Sequence, residues 1–151
     1  MFSQTVEYAL RAAVALASEP AVPLRVVDLA PTTQVPADYL AKVMNQLARA
    51  DLVRAQRGRN GGYTLTRPPQ SISLLEVVNA VDPLRRITHC PLNLRAHAGK
   101  LCGLHRKLDD AIAHMEAALA SSTLAEMAAG TDGVKPLCDQ PHHQPELIHV
   151  A

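Results

Sequence analysis

Apolar side chains recur at the spacing of an α-helix in five segments of this 151-residue chain. They predict helices over residues 3–18, 25–30, 36–50, 73–81 and 103–121. Ser3 is the expected N-cap of the first helix, and Ser73 forms a capping box with Glu76 at the start of the fourth. Residues 31–33 are predicted to form a turn after the second helix. The pattern therefore predicts a mainly α protein.

The stretch from residue 36 to residue 67 combines the third helix with a β-hairpin. The apolar face of the helix, at positions i, i+3, i+4 and i+7, consists of Leu40, Val43, Met44 and Leu47. Two short strands follow at 52–54 and 62–65, joined by a glycine-containing turn that carries two arginines. We call this hairpin the wing. A helix with an apolar back followed by a basic wing is typical of a winged helix-turn-helix, whose helix enters the major groove of DNA.

This arrangement assigns candidate DNA contacts to three places. Phosphate contacts ahead of the third helix are expected from Thr32, Thr33 and Gln34. Contacts in the major groove are expected from Lys42, Asn45, Gln46 and Arg49. Contacts of the wing with the DNA backbone or minor groove are expected from Arg57, Arg59 and Tyr63. We call the predicted DNA-binding domain, residues 1–82, the head. Two heads on a dimer would read an inverted repeat.

Charge is distributed unevenly along the chain, although the net charge is only +1. Residues 25–67 contain seven basic and three acidic side chains, whereas residues 101–151 contain three basic and seven acidic ones. A basic segment in a nearly neutral chain is either an ordinary solvated face or the binding surface for a polyanion. The helix and wing favour the second interpretation.

The second half of the chain changes character. Residues 83–102 lack apolar periodicity, whereas the helix at 103–121 carries one continuous apolar stripe. The stripe consists of Leu104, Leu108, Ala111, Ile112, Met115, Ala118 and Leu119. It is expected to pack against a second copy of the chain, or alternatively against its own head. The predicted organisation is a DNA-binding domain at 1–82, a sensor loop at 83–102, a dimerisation region at 103–129 and a disordered tail at 130–151.

Cysteine usage and the lack of catalytic motifs narrow the function. The sequence shows no secretory signal and no apolar run long enough for a membrane span, so a cytoplasmic protein is expected. Three cysteines in such a chain favour metal, cluster or redox chemistry over disulfides. No nucleophile elbow, phosphate loop or pair of catalytic carboxylates is evident, so an enzyme is not expected.

Five blocks of sequence, in order, resemble the Rrf2 family of transcription factors. They are YALRAAVALA, YLAKVMNQLARADLV, RGRNGGYTLTRP, ISLLEVVNAVD and the CP...CGLH loop, and the resemblance covers about residues 1–127. The resemblance implies a homodimeric winged-helix regulator, commonly a repressor. It also implies an iron–sulfur cluster, expected as [2Fe–2S], whose state controls DNA binding in response to redox state, nitric oxide or iron–sulfur status.

The resemblance also implies a ligand set. Cys90 and Cys102 match the outer two of three family cysteines, and His105 matches a histidine of the iron–sulfur assembly regulators, but Ala96 occupies the middle position. The fourth ligand is expected to be Glu7, by analogy with a carboxylate that the partner subunit supplies in the nitric-oxide sensors. The alternative fourth ligand is His97, next to the vacant position. Glu7 has its own alternative interpretation, a surface ion pair with Arg11.

A regulator without a cluster is the main alternative. In that case Cys90, Cys102 and His105 would bind zinc or act as a thiol switch, or a small ligand would be the signal. Cys138, which lies near His142 and His143, is expected to be a free thiol. A winged helix used only for protein contacts is a further alternative.

Overall fold

The computed structural model describes residues 2–137 and contains six α-helices, a two-stranded antiparallel sheet and two 3-10 turns within that range. The helices are α1 (Gln4–Ser18), α2 (Val26–Thr33), α3 (Ala37–Arg49), α4 (Leu74–Val81), α5 (Gly103–Ala120) and α6 (Leu124–Ala129). The strands are β1 (Val53–Gln56) and β2 (Gly62–Leu65), and the 3-10 turns are Pro69–Ser71 and Arg95–His97. The predicted fold class, mainly α with a small β wing, is confirmed.

Helix α1 lies at the centre of the core. Ser3 accepts a hydrogen bond from the backbone N–H of Val6, as expected for an N-cap. The helix contacts α2, α3, α4 and α6. Most of its buried residues are alanines, whose small side chains allow the neighbouring helices to approach closely. Helix α3 buries the four apolar residues that its spacing predicts and leaves its polar side exposed.

The prediction that the second helix ends before residue 31 is wrong. Helix α2 continues through Pro31 to Thr33, because the proline lies on the exposed side and costs the helix only one backbone hydrogen bond. The hydroxyl of Thr33 donates to the carbonyl of Leu29 at 2.7 Å, which supports this last turn. Gln34 then ends the helix in the left-handed conformation, with φ of 56°.

Leu24, which lies outside the two strands, pairs with β2 and holds the wing against the head. Leu24 exchanges backbone hydrogen bonds with Tyr63 at 2.8 and 3.0 Å, so β2 is paired on both edges. Gly62, with φ of +150°, lies so close that an added Cβ would be 2.8 Å from the backbone of Leu24. This position therefore requires glycine. Strand β1 begins at residue 53 rather than 52 and extends to residue 56.

Helix α6 returns the chain to the head and was not predicted. Its N-terminus carries a capping box formed by Thr123 and Glu126. Leu124 is fully buried, and its backbone N–H donates to the carbonyl of Ile72 at 3.0 Å. The α6 helix contacts α1 and the first 3-10 turn. The region after α5, predicted from the sequence to belong to the dimerisation region up to residue 129, is therefore also part of the core around α1.

Residues 130–137 differ from the predicted disordered tail. Thr131 and Val134 exchange backbone hydrogen bonds in a tight turn, and Leu137 packs against the core. The apolar side chain of Leu137 explains why the chain remains on the head here. Cys138, His142, His143 and the remainder of the predicted tail lie outside the described residues.

Helix α5 contacts α4 but buries none of its side chains completely. Along its predicted stripe, Leu104, Leu108 and Met115 are 64%, 48% and 41% exposed, whereas Ile112 and Leu119 are half-buried. The stripe is thus largely uncovered in a single chain. No helix among residues 2–137 is both long and apolar enough to cross a membrane.

Candidate functional site

Cys90, Cys102 and His105 converge at the start of α5, as the sequence predicts. Their ligand atoms all lie within 4.8 Å of one another. The Nδ1 atom of His105 is 3.1 Å from the Sγ atom of Cys102 and 3.6 Å from the Sγ atom of Cys90. Cys102 is the N-cap residue of α5 and His105 lies in its first turn, so the helix presents both on one side. Cys90 comes from the preceding loop and is buried.

His97 also reaches this group. It ends the 3-10 turn Arg95–His97, where its backbone N–H donates to the carbonyl of Leu94 at 2.8 Å. Its Nδ1 atom lies 3.2 Å from the Sγ atom of Cys90. Its side chain is half-buried, whereas the residues around it in the turn are exposed. His97 therefore extends the group of three donors on the side of Cys90.

Cys90 comes from a loop that an ion pair attaches to α5. Arg86 donates to both carboxylate oxygens of Asp109, at 2.7 and 2.6 Å, and the backbone N–H of Ile87 donates to the same carboxylate at 2.8 Å. These bonds, above all those from Arg86, lower the pKa of Asp109 to about 2. The loop is thus fixed to α5 at both of its ends, by Arg86 before Cys90 and by the chain itself after Cys102.

The surroundings of Cys102 favour deprotonation of its thiol. The nearby backbone N–H of His105 and its imidazole, whose Nδ1 atom is 3.1 Å from the sulfur, lower the pKa of Cys102 to about 7. A thiol at the N-terminus of a helix also benefits from the positive end of the helix dipole. Thiolate is the form that binds metals and reacts with oxidants, so Cys102 suits both chemistries.

The donor set fits a bound metal. Sulfur and nitrogen ligands of one tetrahedral ion, at bond lengths of about 2.3 and 2.0 Å, lie about 3.6 Å apart. The sulfur–nitrogen distances of 3.1–3.6 Å in this group agree with that value. Thiolate and imidazole are the ligands of zinc and of iron–sulfur clusters. The residues present can therefore hold an iron–sulfur cluster or a zinc ion.

Glu7 is placed apart from this group in the single chain. Its carboxylate is 3.0 Å from the guanidinium of Arg11, so the predicted surface pair forms. The same guanidinium donates to the carbonyl of Thr33 at 3.2 Å, which links α1 to the end of α2. The side chain of Glu7 is 55% exposed and is accessible to a second subunit.

The candidate DNA contacts divide into exposed and buried side chains. Exposed side chains belong to Thr32, Gln34, Lys42, Asn45, Arg49, Arg57 and Arg59, whereas Gln46 and Tyr63 are half-buried. Thr33 is fully buried and its hydroxyl is already used in α2, so it does not offer a phosphate contact here. Ion pairs within residues 2–137 engage Arg11, Arg25, Arg67 and Arg86 but none of the cations of α3 and the wing tip. Those cations are therefore available to a polyanion.

Comparison with known proteins identifies the family. The sequence model of the Rrf2 family, described as iron-dependent transcriptional regulator, matches residues 2–130. The chain belongs to the Rrf2 family. It is 33% identical over 153 residues to a protein named as an HTH-type transcriptional regulator of Mycobacterium tuberculosis strain H37Rv, covering 99% of this chain and 95% of that protein. This Rrf2 protein is accordingly a transcriptional regulator, and DNA binding is the activity of its family.

Solved structures show the same fold. The structure of CymR, the global cysteine regulator of B. subtilis, superposes with a TM-score of 0.73 at 23% identity, covering 87% of this Rrf2 protein and 98% of that chain. T. potens IscR superposes with a TM-score of 0.71 at 22% identity, covering 85% and 86%. At this level of identity the likeness establishes the architecture alone. The predicted resemblance to the Rrf2 family is confirmed.

Sequence patterns did not reveal the Arg86–Asp109 anchor or the strand position of Leu24. The two anchor residues are 23 positions apart, in a loop and a helix, and no periodicity relates them. Leu24 is a single strand residue between prolines and a helix, too short a run for strand periodicity to detect. The proximity of His97 to Cys90 had one signal in the sequence, its position next to Ala96.

Proposed function

We propose that this Rrf2 protein is a homodimeric DNA-binding regulator, acting as a repressor, whose DNA binding is controlled by an iron–sulfur cluster, [2Fe–2S], at Cys90, Cys102 and His105. The observation that carries the proposal is the convergence of these three donors at the start of α5. Two of them belong to one helical turn and the third to a loop anchored on the same helix. The loop is joined to α5 by hydrogen bonds from Arg86 and the backbone N–H of Ile87 to Asp109, which hold Cys90 beside the other two donors.

The DNA-binding surface is proposed to consist of α3 and the wing. The apolar side of α3 is buried, so Lys42, Asn45 and Arg49 face outwards and can enter a major groove. Arg57 and Arg59 at the wing tip are exposed cations suited to phosphates. Thr32 and Gln34 lie at the end of α2, ahead of α3, where phosphate contacts would fix the register of the helix on the duplex.

The second subunit is proposed to cover the stripe on α5. Exposed leucines and a methionine along five turns form a continuous apolar surface, which a second copy of the same helix would bury symmetrically. Two heads joined in this way would bind an inverted repeat. A fourth ligand from the partner's Glu7, the expectation from the family resemblance, would also require this dimer, whereas His97 lies in the same chain.

Control of DNA binding is proposed to act through α5. The site links the sensor loop to the first turn of α5, and α5 carries the dimer stripe, so the loop and the spacing of the two heads are mechanically connected. A bound cluster supplies a one-electron redox couple and a reactive target for small gases. Cys90, Cys102 and His105 would be held together when it is present and released when it is lost.

The proposal is tested with protein purified without oxygen. We expect about two irons and two sulfides per chain. The DNA probe is a duplex selected by the protein from a random-sequence library. The affinity for this duplex should differ by about 5- to 150-fold between the cluster-loaded and the cluster-free protein. Cys90→Ser should abolish iron binding and leave the affinity at its cluster-free value. Cys138→Ser is the matched control and should behave as the parent chain. DNA affinity that is identical with and without iron would contradict the proposal.

A cluster-free sensor is the second candidate, favoured by the vacancy at Ala96 and by the compactness of the group. Three donors within 4.8 Å suit one zinc ion as well as a cluster. Stoichiometric zinc in protein made under iron-replete anaerobic conditions would support zinc. A colourless, zinc-free protein whose DNA affinity changes on oxidation of Cys102 would support a thiol switch.

A further inference from the structure

Two histidines within residues 2–137, His97 and His105, contact a cysteine sulfur. The Nδ1 atom of His89 instead contacts the hydroxyl of Thr88 at 2.9 Å, and that of His114 contacts the carbonyl of Asp110 at 2.6 Å. His97 follows Ala96, which occupies the position of the missing family cysteine. An imidazole one residue further along the chain thus reaches the sulfur of Cys90.

We propose that His97 is the fourth ligand and replaces the missing thiolate, so that the cluster site is a set of two cysteines and two histidines within one chain. The inference rests on the proposed function, since it needs a cluster to be bound. It assigns the vacant position to a neutral ligand rather than to the carboxylate of Glu7.

The order of contacts supports a four-ligand set. The donors form a chain in which His97 contacts Cys90 at 3.2 Å, Cys90 contacts His105 at 3.6 Å, and His105 contacts Cys102 at 3.1 Å. The two shortest distances define two pairs, each with one sulfur and one nitrogen. His97 lies outside the compact group of three. With His97 the group supplies four ligands, the number that a [2Fe–2S] cluster needs.

The local structure favours His97 over Glu7. The 3-10 turn holds the backbone of His97 by hydrogen bonds on both sides, from its own N–H to Leu94 and from the N–H of Lys100 to its carbonyl, at 2.8 and 3.2 Å. The imidazole is therefore already presented to Cys90 in the single chain. Glu7 is committed to Arg11 and would have to exchange that ion pair for the cluster. It would also have to come from another subunit.

The chemical consequence is a change in redox behaviour. Replacing an anionic thiolate by a neutral imidazole removes one negative charge from the ligand set. Histidine ligation raises the reduction potential of [2Fe–2S] centres for this reason. The cluster is therefore expected to have a higher potential than the same site with a third cysteine, and to be reduced more readily.

The test uses the full chain with four single variants, His97→Ala, His97→Cys, Glu7→Ala and His89→Ala, each reconstituted without oxygen. Nitrogen hyperfine couplings in the paramagnetic resonance of the reduced cluster count the bound imidazoles. The parent protein should show two. His97→Ala should lose one coupling and bind less iron, and His97→Cys should keep the iron, show one coupling and have a lower potential. His89→Ala and Glu7→Ala should match the parent.

Two results would overturn the inference in different ways. A parent cluster whose couplings, iron content and potential are unchanged in His97→Ala, but which is lost in Glu7→Ala, would assign the ligand to Glu7 and leave the proposed function intact. A parent protein that binds DNA but takes up no cluster on reconstitution would refute both the inference and the cluster in the proposed function.

Discussion

At the scale of single residues, Cys102 combines a structural and a chemical role. It ends the sensor loop, begins α5 and faces His105, whose Nδ1 atom lies 3.1 Å from its sulfur. The nearby backbone N–H of His105 and this contact favour the thiolate in the folded chain. The same contacts that position the thiol for a metal therefore also increase its reactivity when no metal is present.

In the metal-free protein, alkylation of Cys102 is expected to rise with pH around a midpoint of about 7, below the ordinary value of 9.0. Because the folded pKa is lowered, the thiolate contributes stability that is complete above the unfolded pKa and is lost as pH falls through about 7. The measurement is peptide-resolved mass spectrometry of alkylation rates across pH. His105→Ala should move the midpoint upwards but not fully, since the backbone donor remains. A midpoint near that of the urea-unfolded chain would contradict this assignment.

Gly62 shows what the sequence could and could not predict at one residue. Glycines in a short hairpin turn predict a wing, and the wing is present. The reason for this particular glycine is the backbone of Leu24, nearly 40 residues earlier in the chain. Local patterns report the turn but not the distant segment that packs against it.

At the scale of elements, the wing allows its proposed role in DNA binding to be tested without disturbing the fold. Its tip, residues 57–61, projects from the paired strands, and Arg57 and Arg59 are exposed and unpaired with any carboxylate of the described residues. Removing one of these charges should therefore leave the fold intact.

Arg59→Ala is expected to weaken binding to all duplex sequences and to reduce the slope of log affinity against log salt by about one per bound head. The physical reason is the loss of one phosphate contact and of the counterion that it releases. Titrations at several salt concentrations, with operator and unrelated DNA, measure both quantities. Arg85→Ala, an exposed arginine between α4 and α5, is the control. A loss restricted to one base position would show that Arg59 reads sequence instead.

Elements with long amphipathic patterns were predicted well, and short ones were not. Helices α1, α3 and α5 have several turns, so their periodicity outweighs local exceptions. Helix α2 was predicted too short because a proline usually ends a helix, yet here Thr33 and Arg11 support the turn beyond it. Helix α6 has six residues, and its capping box was its only strong local signal. Burial of Leu124 in the head, a tertiary effect, decides its position.

At the scale of the whole molecule, the described chain is a complete head with one uncovered helix. The core around α1 is closed by α6, whereas α5 contacts α4 on one side and leaves most of its apolar stripe exposed. The Cys90, Cys102 and His105 group, which could hold a metal, lies at the start of this helix. The proposed sensor and the proposed dimer surface therefore share one helix, through which a change at the first could reach the second.

Leu108→Glu is expected to dissociate the proposed dimer. Leu108 is 48% exposed, so a partner would bury about half of a leucine side chain, which contributes roughly 1 kcal/mol. Two symmetric copies correspond to a weakening of about thirtyfold in the dimer dissociation constant, and burial of the new carboxylate adds to it. Lys107→Glu, an exposed polar position one residue away, is the matched control and should remain dimeric. Sedimentation equilibrium gives the masses, and circular dichroism confirms that both variants stay folded.

Measurements of DNA binding show whether the dimer is needed to bind the operator. If two heads bind one inverted repeat, Leu108→Glu should bind a full operator no more tightly than a single half-site, because each head then binds alone and the gain from joining them is lost. The parent protein should prefer the full operator strongly, and Lys107→Glu should follow the parent. A parent chain that sediments as a monomer, or a Leu108→Glu variant that remains dimeric and operator-specific, would mean that α5 is covered by something other than a second copy of itself.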